Sequence, residues 1–218
     1  MLIEGPLIAE RQVAGPLSAP AAESDKDALI GPHAVIHLAQ VMHEVLGRTA
    51  THTVLGHAQI ETLPSGHAMI PEIEALRLHR WLLLWEPVEG FAIAREAARR
   101  TADYIIANRI PGPAAALLRL LPAALAAPLL MRAIRHHAWT FIGAGRFEPH
   151  SARDFTIDRS AVDDPMPVPD STFDWYGAVF ERLYQQLVAS DCQIITQTMK
   201  SASPAARNFH LMRGNGQR

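Results

Sequence analysis

Residues 101–147 read TADYIIANRIPGPAAALLRLLPAALAAPLLMRAIRHHAWTFIGAGRF and join two local sequence patterns. The first part is rich in alanine and leucine and is interrupted by prolines at positions 111, 113, 122 and 128. Proline is tolerated in the first turn of a helix but breaks a helix interior, so residues 113–137 predict two short helices that meet near Pro122. Residues 139–147 are rich in aromatic residues and glycine and predict a β-strand.

Before this segment, apolar residues recur with the spacing of helices. After it, most of the pattern is that of β-strands. Helices are predicted at 31–47, which Gly47 closes, and at 51–60, 71–85 and 89–108. Strands are predicted at 153–158, 192–199 and 208–212, with a helix at 172–189. Because helices come first and four strands cluster late, the sequence predicts an α+β fold in which N-terminal helices pack on a four-stranded antiparallel sheet.

The chain is long enough for one well-buried core. Residues 1–28 show no sustained period and predict a poorly ordered arm. Residues 29–218 then form a single α+β domain, with a helical part at 31–137 and a sheet part at 138–213.

Composition excludes several classes of protein. A net charge of −2 provides no electrostatic footprint for nucleic acid, and the single Cys192 excludes an internal disulfide framework or a cysteine-built zinc or iron–sulfur site. The most membrane-like stretch, residues 120–131, holds twelve uncharged residues, whereas a spanning helix needs about 20. We therefore expect a cytoplasmic protein without a membrane span, and a peripheral contact with a membrane stays open.

Four stretches carry a resemblance to a known family: IGPHAVIHLAQVM at 30–42, TADYIIANRIP at 101–111, RAIRHHAWTFIGAGRF at 132–147 and FHLM at 209–212. They resemble the bacteriochlorophyll 4-vinyl reductases, also called small bacteriochlorophyll synthase chains. The resemblance implies a 4-vinyl reductase domain, a ligand-binding fold akin to TRAPP vesicle-tethering subunits. It also implies a role in bacteriochlorophyll biosynthesis, with pathway enzymes as partners and a location in the cytoplasm or at the photosynthetic membrane; a homodimer is one option.

The ligand that the resemblance implies is a Mg-tetrapyrrole of the divinyl protochlorophyllide or chlorophyllide type. Reduction of its 8-vinyl group (position 4 in the older numbering) would need a redox cofactor, because side chains alone cannot supply a hydride or electrons. The only glycine-rich candidate, Gly143-Ala144-Gly145, lacks the third glycine and the βαβ context of a dinucleotide site and is interpreted as close packing. No cofactor is therefore predicted by motif. Three functions stay open: a pigment-binding protein that delivers the pigment or assists vinyl reduction, an NADPH-dependent vinyl reductase, and an adaptor between pathway enzymes.

Some relatives of this module bind zinc, and the resemblance locates the corresponding positions here. Those positions hold residues that ligate zinc poorly or not at all, so no bound zinc is predicted. They are Ser171, Thr196, Met199 and Arg207.

His136 and His137 are the candidate axial ligands for magnesium, because they end a helix and lead into aromatic residues. His137 is the choice, since alternation along the predicted strand would put it on one side with Trp139 and Phe141. Arg146 is a candidate partner for a propionate carboxylate. The remaining candidates for the pigment site are Phe147, Trp81 and Trp85. Separately, His33 and His37 have the i, i+4 spacing of a metal pair, with a partly buried helix face as the alternative.

Overall fold

The computed structural model describes residues 28–198 and 204–214. Residues 1–27, nearly all of the predicted arm, and Met199 lie outside the described residues.

Three long helices form the first half of the fold and pack through their apolar faces. Leu38, Leu78 and Ala98, one from each helix, are buried in the same core. Gly47 has a φ of 81°, a left-handed value that glycine adopts without strain, and it interrupts the first helix where the sequence predicts an end. The elements in chain order are β1 (Leu29–Ile30), α1 (His33–His57), β2 (Ile70–Pro71), α2 (Glu72–Trp85) and α3 (Glu89–Asn108).

A proline-bounded helical hairpin follows, as predicted. Helix α4 spans Gly112–Leu120 and helix α5 spans Ala123–His136, with Pro122 between them. No helix in the described parts of the chain is long and apolar enough to cross a membrane.

The strand predicted at 139–147 is wrong in its first half. Trp139–Ile142 is a short helix, α6, and the strand β3 begins only at Arg146. The physical reason is that side chains hold the backbone carbonyls of α6: Tyr176 donates a hydrogen bond to the Phe141 carbonyl at 3.0 Å, and Arg159 donates to the Ile142 carbonyl. The neighbouring strand reaches no further than the partner of Arg146, so residues 139–142 have no ladder to join.

The second half is a four-stranded antiparallel sheet with one long helix against it, which confirms the predicted α+β class. The predicted packing of the first helices on the sheet is corrected, because α3 packs on this late helix, Asp170–Leu187, and the late helix contacts the sheet. The strand order is β3-β4-β6-β5. Phe180, on the helix, stacks on Phe155 at 4.1 Å between ring centroids, and Phe155 stacks on Phe209 at 4.9 Å. The elements are β3 (Arg146–Pro149), β4 (Asp154–Asp158), α7 (Asp170–Leu187), β5 (Cys192–Thr198) and β6 (Ala206–Arg213).

Candidate ligand-binding cleft

An open cleft of about 1020 Å³ lies between the second half of α5 and the turn that joins β3 to β4. Its size is at the upper end of the range of small-molecule sites in proteins. Both sides of the cleft combine apolar residues with polar or nitrogen-bearing side chains. The lining residues include Pro128, Leu129, Met131, Arg132, Arg135, His136, His137, His150, Ser151 and Ala152.

Helix α5 supplies most of this lining because its opposite face is anchored in the core. Ala126, Ala127 and Leu130 are buried and do not line the cleft. The helix then ends at His136, with His137 as its C-cap residue, so two imidazoles are presented at the same end. A helix C-terminus favours positive charge, which suits histidine and arginine in the last turn.

His136 and His137 are both exposed and both line the cleft. Their ring centroids lie 5.0 Å apart with the ring planes nearly perpendicular. The alternation argument that singled out His137 does not hold, because the residues after it form α6 instead of a strand.

His150 is a third imidazole at the cleft, and sequence reasoning missed it. It lies in the turn after β3, and its Nε2 is 2.7 Å from the Thr156 hydroxyl. The Thr156 hydroxyl in turn donates to the Asn208 side-chain carbonyl at 2.6 Å. A hydroxyl has one proton to donate, so Thr156 accepts from His150, and Nε2 of His150 carries the proton. The other ring nitrogen, Nδ1, is then free to accept or to ligate when the ring is neutral.

Arg132 and Arg135 add positive charge beside these histidines. Both are exposed, and neither forms an ion pair with a carboxylate among the residues that the structure describes. An exposed guanidinium without a carboxylate partner is available for a ligand carboxylate, which it can hold with two parallel hydrogen bonds.

The other residues predicted for the pigment site are all described, and none of them lines this cleft. Phe141 and Phe147 contact each other at 5.8 Å and pack on the aromatic core around Phe180. Trp81 stacks on the His57 ring at 4.6 Å, in the N-terminal helices. The last three lie apart from these: Trp139 is half-buried on α6, Arg146 is exposed on β3, and Trp85 is exposed at the end of α2.

His33 and His37 form an aromatic cluster within the N-terminal helices. His37 Nδ1 is 2.9 Å from the Thr101 hydroxyl, and His33 stacks on Tyr104 at 3.6 Å. Burial lowers the pKa of His37 to about 4, so its ring is neutral at physiological pH. Within residues 28–198 and 204–214, no group of three or more histidine, cysteine or acidic residues is arranged to hold a metal.

Two of the positions that the predicted resemblance aligns with zinc ligands have other partners here. Ser171 is buried, with its hydroxyl 3.0 Å from His79 Nδ1. The Arg207 guanidinium pairs with Asp170 at 2.7 Å and lies over the Phe173 ring at 4.5 Å.

The other two positions that the resemblance aligns with zinc ligands are Thr196 and Met199. Thr196 is a half-buried member of β5, and Met199 lies outside the described residues. The thiol of Cys192, the first residue of β5, is buried, and burial raises its pKa.

The Gly143-Ala144-Gly145 segment packs closely against a buried ion pair, as its interpretation from sequence predicts. The Ala144 amide donates to Glu72 Oε2 at 3.3 Å. A Cβ on Gly143 would lie 1.8 Å from that oxygen, and one on Gly145 would lie 2.8 Å from the Asp158 carbonyl. Glycine is needed here because side chains and backbone approach too closely for any Cβ.

Comparison with curated proteins identifies the family. The chain is 40% identical over 186 residues to the bacteriochlorophyll synthase 23 kDa chain of Cereibacter sphaeroides, an alignment that covers 84% of this chain and 90% of that one. It is 38% identical over 173 residues to the protein of the same name from Rhodobacter capsulatus, covering 78% and 80% of the two chains. The chain belongs to this family. No family model matches the sequence.

Solved structures with a similar fold are H-NOX proteins. The Fe(II) unliganded H-NOX protein from K. algicida has a TM-score of 0.57 at 11% identity, over 87% of this chain and 99% of that one. An H-NOX structure from work on heme distortion has a TM-score of 0.54 at 10% identity, over 85% and 96%. At these identities the likeness concerns the fold alone. The predicted likeness to the 4-vinyl reductase and TRAPP fold stays a prediction.

Proposed function

We propose that this protein binds a Mg-tetrapyrrole intermediate of bacteriochlorophyll biosynthesis in the cleft beside α5. It delivers the pigment to pathway enzymes or assists reduction of its 8-vinyl group. Family membership supports the pathway, since the relatives are named as bacteriochlorophyll synthase chains. The H-NOX structures that share the fold come from studies of heme and of porphyrin distortion, and both groups are tetrapyrroles, which supports the ligand class.

The observation that carries the proposal is the combination of groups at one cleft. Three imidazoles, from His136, His137 and His150, and two guanidinium groups, from Arg132 and Arg135, line the cleft together with apolar residues of α5. A magnesium tetrapyrrole presents a flat apolar ring, an axial coordination position that accepts nitrogen, and a carboxylate at its edge. Each of these features has a complementary group in the cleft.

The candidates for the axial ligand are His150 and one of the adjacent pair His136 and His137. His150 is the better organised one, because Thr156 fixes its tautomer and limits its rotation. Histidines that ligate metals usually donate their second ring N–H to such a partner. In this arrangement His150 coordinates through Nδ1, and Thr156 and Asn208 are positioning residues.

The proposal assigns no redox step to the protein's own side chains, because none of them supplies a hydride. A partner enzyme reduces the vinyl group, and this protein holds the pigment in an orientation that the enzyme can reach. Under the alternative of a true reductase, NADPH would be required.

Absorption spectroscopy tests the proposal directly. The full chain is titrated into divinyl protochlorophyllide and, separately, into divinyl chlorophyllide, each with and without NADPH. We expect a saturable shift of the Soret band that does not depend on NADPH, with no conversion to the monovinyl spectrum. Conversion that requires NADPH would favour the reductase over the carrier. The absence of a shift with either pigment would favour the adaptor.

A further inference from the structure

The α4–α5 hairpin exposes large apolar side chains to an unusual degree. The exposed fractions of Leu117, Leu120, Leu125 and Leu129 are 53%, 83%, 55% and 48%. Single exposed leucines are ordinary on protein surfaces, but several within one short hairpin indicate an interaction surface.

Helix α4 carries apolar residues on nearly every side, yet few of these residues are buried. Its sequence, GPAAALLRL, contains one charged residue, yet only Ala115 and Leu118 are buried. A surface helix of a globular protein normally has polar residues on its exposed face. The exposed residues of α4 are instead glycine, proline, alanine and leucine, and Arg119 is the one charged residue among them.

Helix α5 continues this pattern and ends it with positive charge. Leu125, Leu129, Arg132 and His136 follow one another at intervals of four, three and four residues, so they lie along one exposed stripe. The stripe therefore runs from leucines near the hairpin bend to cationic and titratable groups at the cleft.

All formally charged residues in the surrounding segment are positive. Residues 104–147 contain five arginines and no acidic residue, in a chain whose net charge is −2. None of these five arginines pairs with a carboxylate within the described residues. By contrast, Arg100 and Arg182, which lie outside this segment, hold Glu44 and Asp103 at 2.6 and 2.8 Å.

We propose that the α4–α5 hairpin docks the protein on an anionic lipid surface. Exposed leucines beside arginines match the boundary between acyl chains and negative headgroups, where apolar burial and electrostatic attraction act together. A second copy of the chain fits this surface less well, because a two-fold contact would face the same positive charges against each other. Residues 112–136 also lack the aromatic anchors that dominate protein–protein hot spots.

Docking in this way brings the cleft to the lipid. Leu129 and Arg132 belong both to the exposed stripe and to the cleft lining. An apolar ligand that partitions into the membrane would then meet the cleft at the surface. The docking itself does not depend on which ligand the cleft binds.

Vesicle co-sedimentation of the full chain tests the proposal. We expect binding to vesicles that contain phosphatidylglycerol, little binding to pure phosphatidylcholine vesicles, and weaker binding as salt is raised, because exposed charges are then screened. The double substitution Leu120→Ser and Leu125→Ser should weaken binding by at least about tenfold, since both side chains leave the acyl boundary. Neither residue lines the cleft, so the pigment-induced spectral shift should be unchanged.

The matched control changes two exposed apolar residues elsewhere. Leu84 and Val88, at the α2–α3 corner, have exposed fractions of 66% and 82%, and Leu84→Ser with Val88→Ser should leave vesicle binding intact. The proposal is overturned if the control reduces binding as much as the hairpin variant, or if the full chain does not sediment with anionic vesicles. It is also overturned if the hairpin substitutions leave vesicle binding unchanged and instead dissociate a dimer seen in analytical ultracentrifugation.

Discussion

Glu72 and Arg159 form an ion pair in the interior of the protein, with 2.6 Å between the carboxylate and the guanidinium and exposed side-chain fractions of 7% and 1%. Glu72 begins α2, and Arg159 follows the last residue of β4, so the pair joins the helical half to the sheet. Arg159 also donates to the Ile142 carbonyl and thereby holds the segment that follows the cleft histidines.

Removing the acid should cost considerable stability. Glu72→Gln leaves a buried guanidinium without a counter-charge, and loss of one partner of such a pair typically costs about 3–5 kcal/mol. The measurement is urea unfolding followed by circular dichroism. As a control, Asp103→Asn breaks the exposed pair with Arg182 and should change the free energy of unfolding by less than about 1 kcal/mol. Equal losses in the free energy of unfolding from both variants would mean that the buried pair contributes no more to stability than the exposed one.

Gly143 should not tolerate a side chain. Its φ of 54° is left-handed, and an added Cβ would overlap the Glu72 carboxylate. Gly143→Ala should therefore lower the free energy of unfolding by at least about 1–3 kcal/mol from backbone strain, and the overlap adds to this. Gly56→Ala, at an open helical position, should be neutral or slightly stabilising. A Gly143→Ala protein as stable as wild type would disprove the close packing.

Stability should fall as the pH is lowered below about 6.5. Burial lowers the pKa of His79 to about 3 from a usual value of 6.5, so between these values the unfolded chain binds a proton that the folded protein excludes. Protonation then favours unfolding, and the stability present above pH 6.5 is lost as the pH falls towards 3. We expect His79 to cost about 2 kcal/mol between pH 7 and pH 5.

Unfolding by urea at a series of pH values measures this dependence. His79→Gln removes the titrating ring and should flatten the pH dependence by about that amount, whatever it does to stability at pH 7. His37, with a pKa of about 4, should leave a second, similar contribution in that variant. A slope that His79→Gln does not alter would show that the ring is protonated in the folded state.

The three cleft histidines should differ in their contribution to pigment binding. His150→Ala should weaken binding by about tenfold or more, which corresponds to about 1.4 kcal/mol, because the ring that Thr156 orients is lost. Thr156→Val should weaken binding less, since it only frees the ring to rotate. His136→Ala and His137→Ala should each have a small effect, because within the described residues no hydrogen bond orients either ring. The readout is the Soret shift titration.

One result would return the assignment to the choice made from sequence. If His137→Ala alone produced the tenfold loss, His137 would be the axial ligand and His150 a bystander. Small, equal effects of all three substitutions would place the magnesium ligand outside this cleft.

Purified protein should carry no stoichiometric zinc. Arg207 is engaged with Asp170 and Phe173, and Ser171 with His79, so two of the positions that the predicted 4-vinyl reductase resemblance aligns with zinc ligands have other partners. Elemental analysis of protein prepared without chelator or metal-affinity tag checks this. About one zinc per chain would disprove the alignment or reveal a site built from histidines.

Sequence alone determined the elements whose signals are local. Gly47 and Pro122 interrupt helices at the predicted places, and α3 and α7 follow from their apolar periodicity. The same patterns predicted the α+β class. Each of these signals acts over one or two turns of chain, so no knowledge of distant neighbours was required.

Only the tertiary structure decided the conformation after the cleft histidines and the membership of the cleft. Residues 139–142 are helical because Tyr176 and Arg159, distant in sequence, hold their carbonyls. His150 reaches the cleft because the β3–β4 turn returns to α5, and its tautomer depends on the register that sets Thr156 opposite Asn208. Trp81 lies elsewhere because its helix packs against α1. Such contacts join residues far apart in the chain, and local periodicity does not determine which of them will meet.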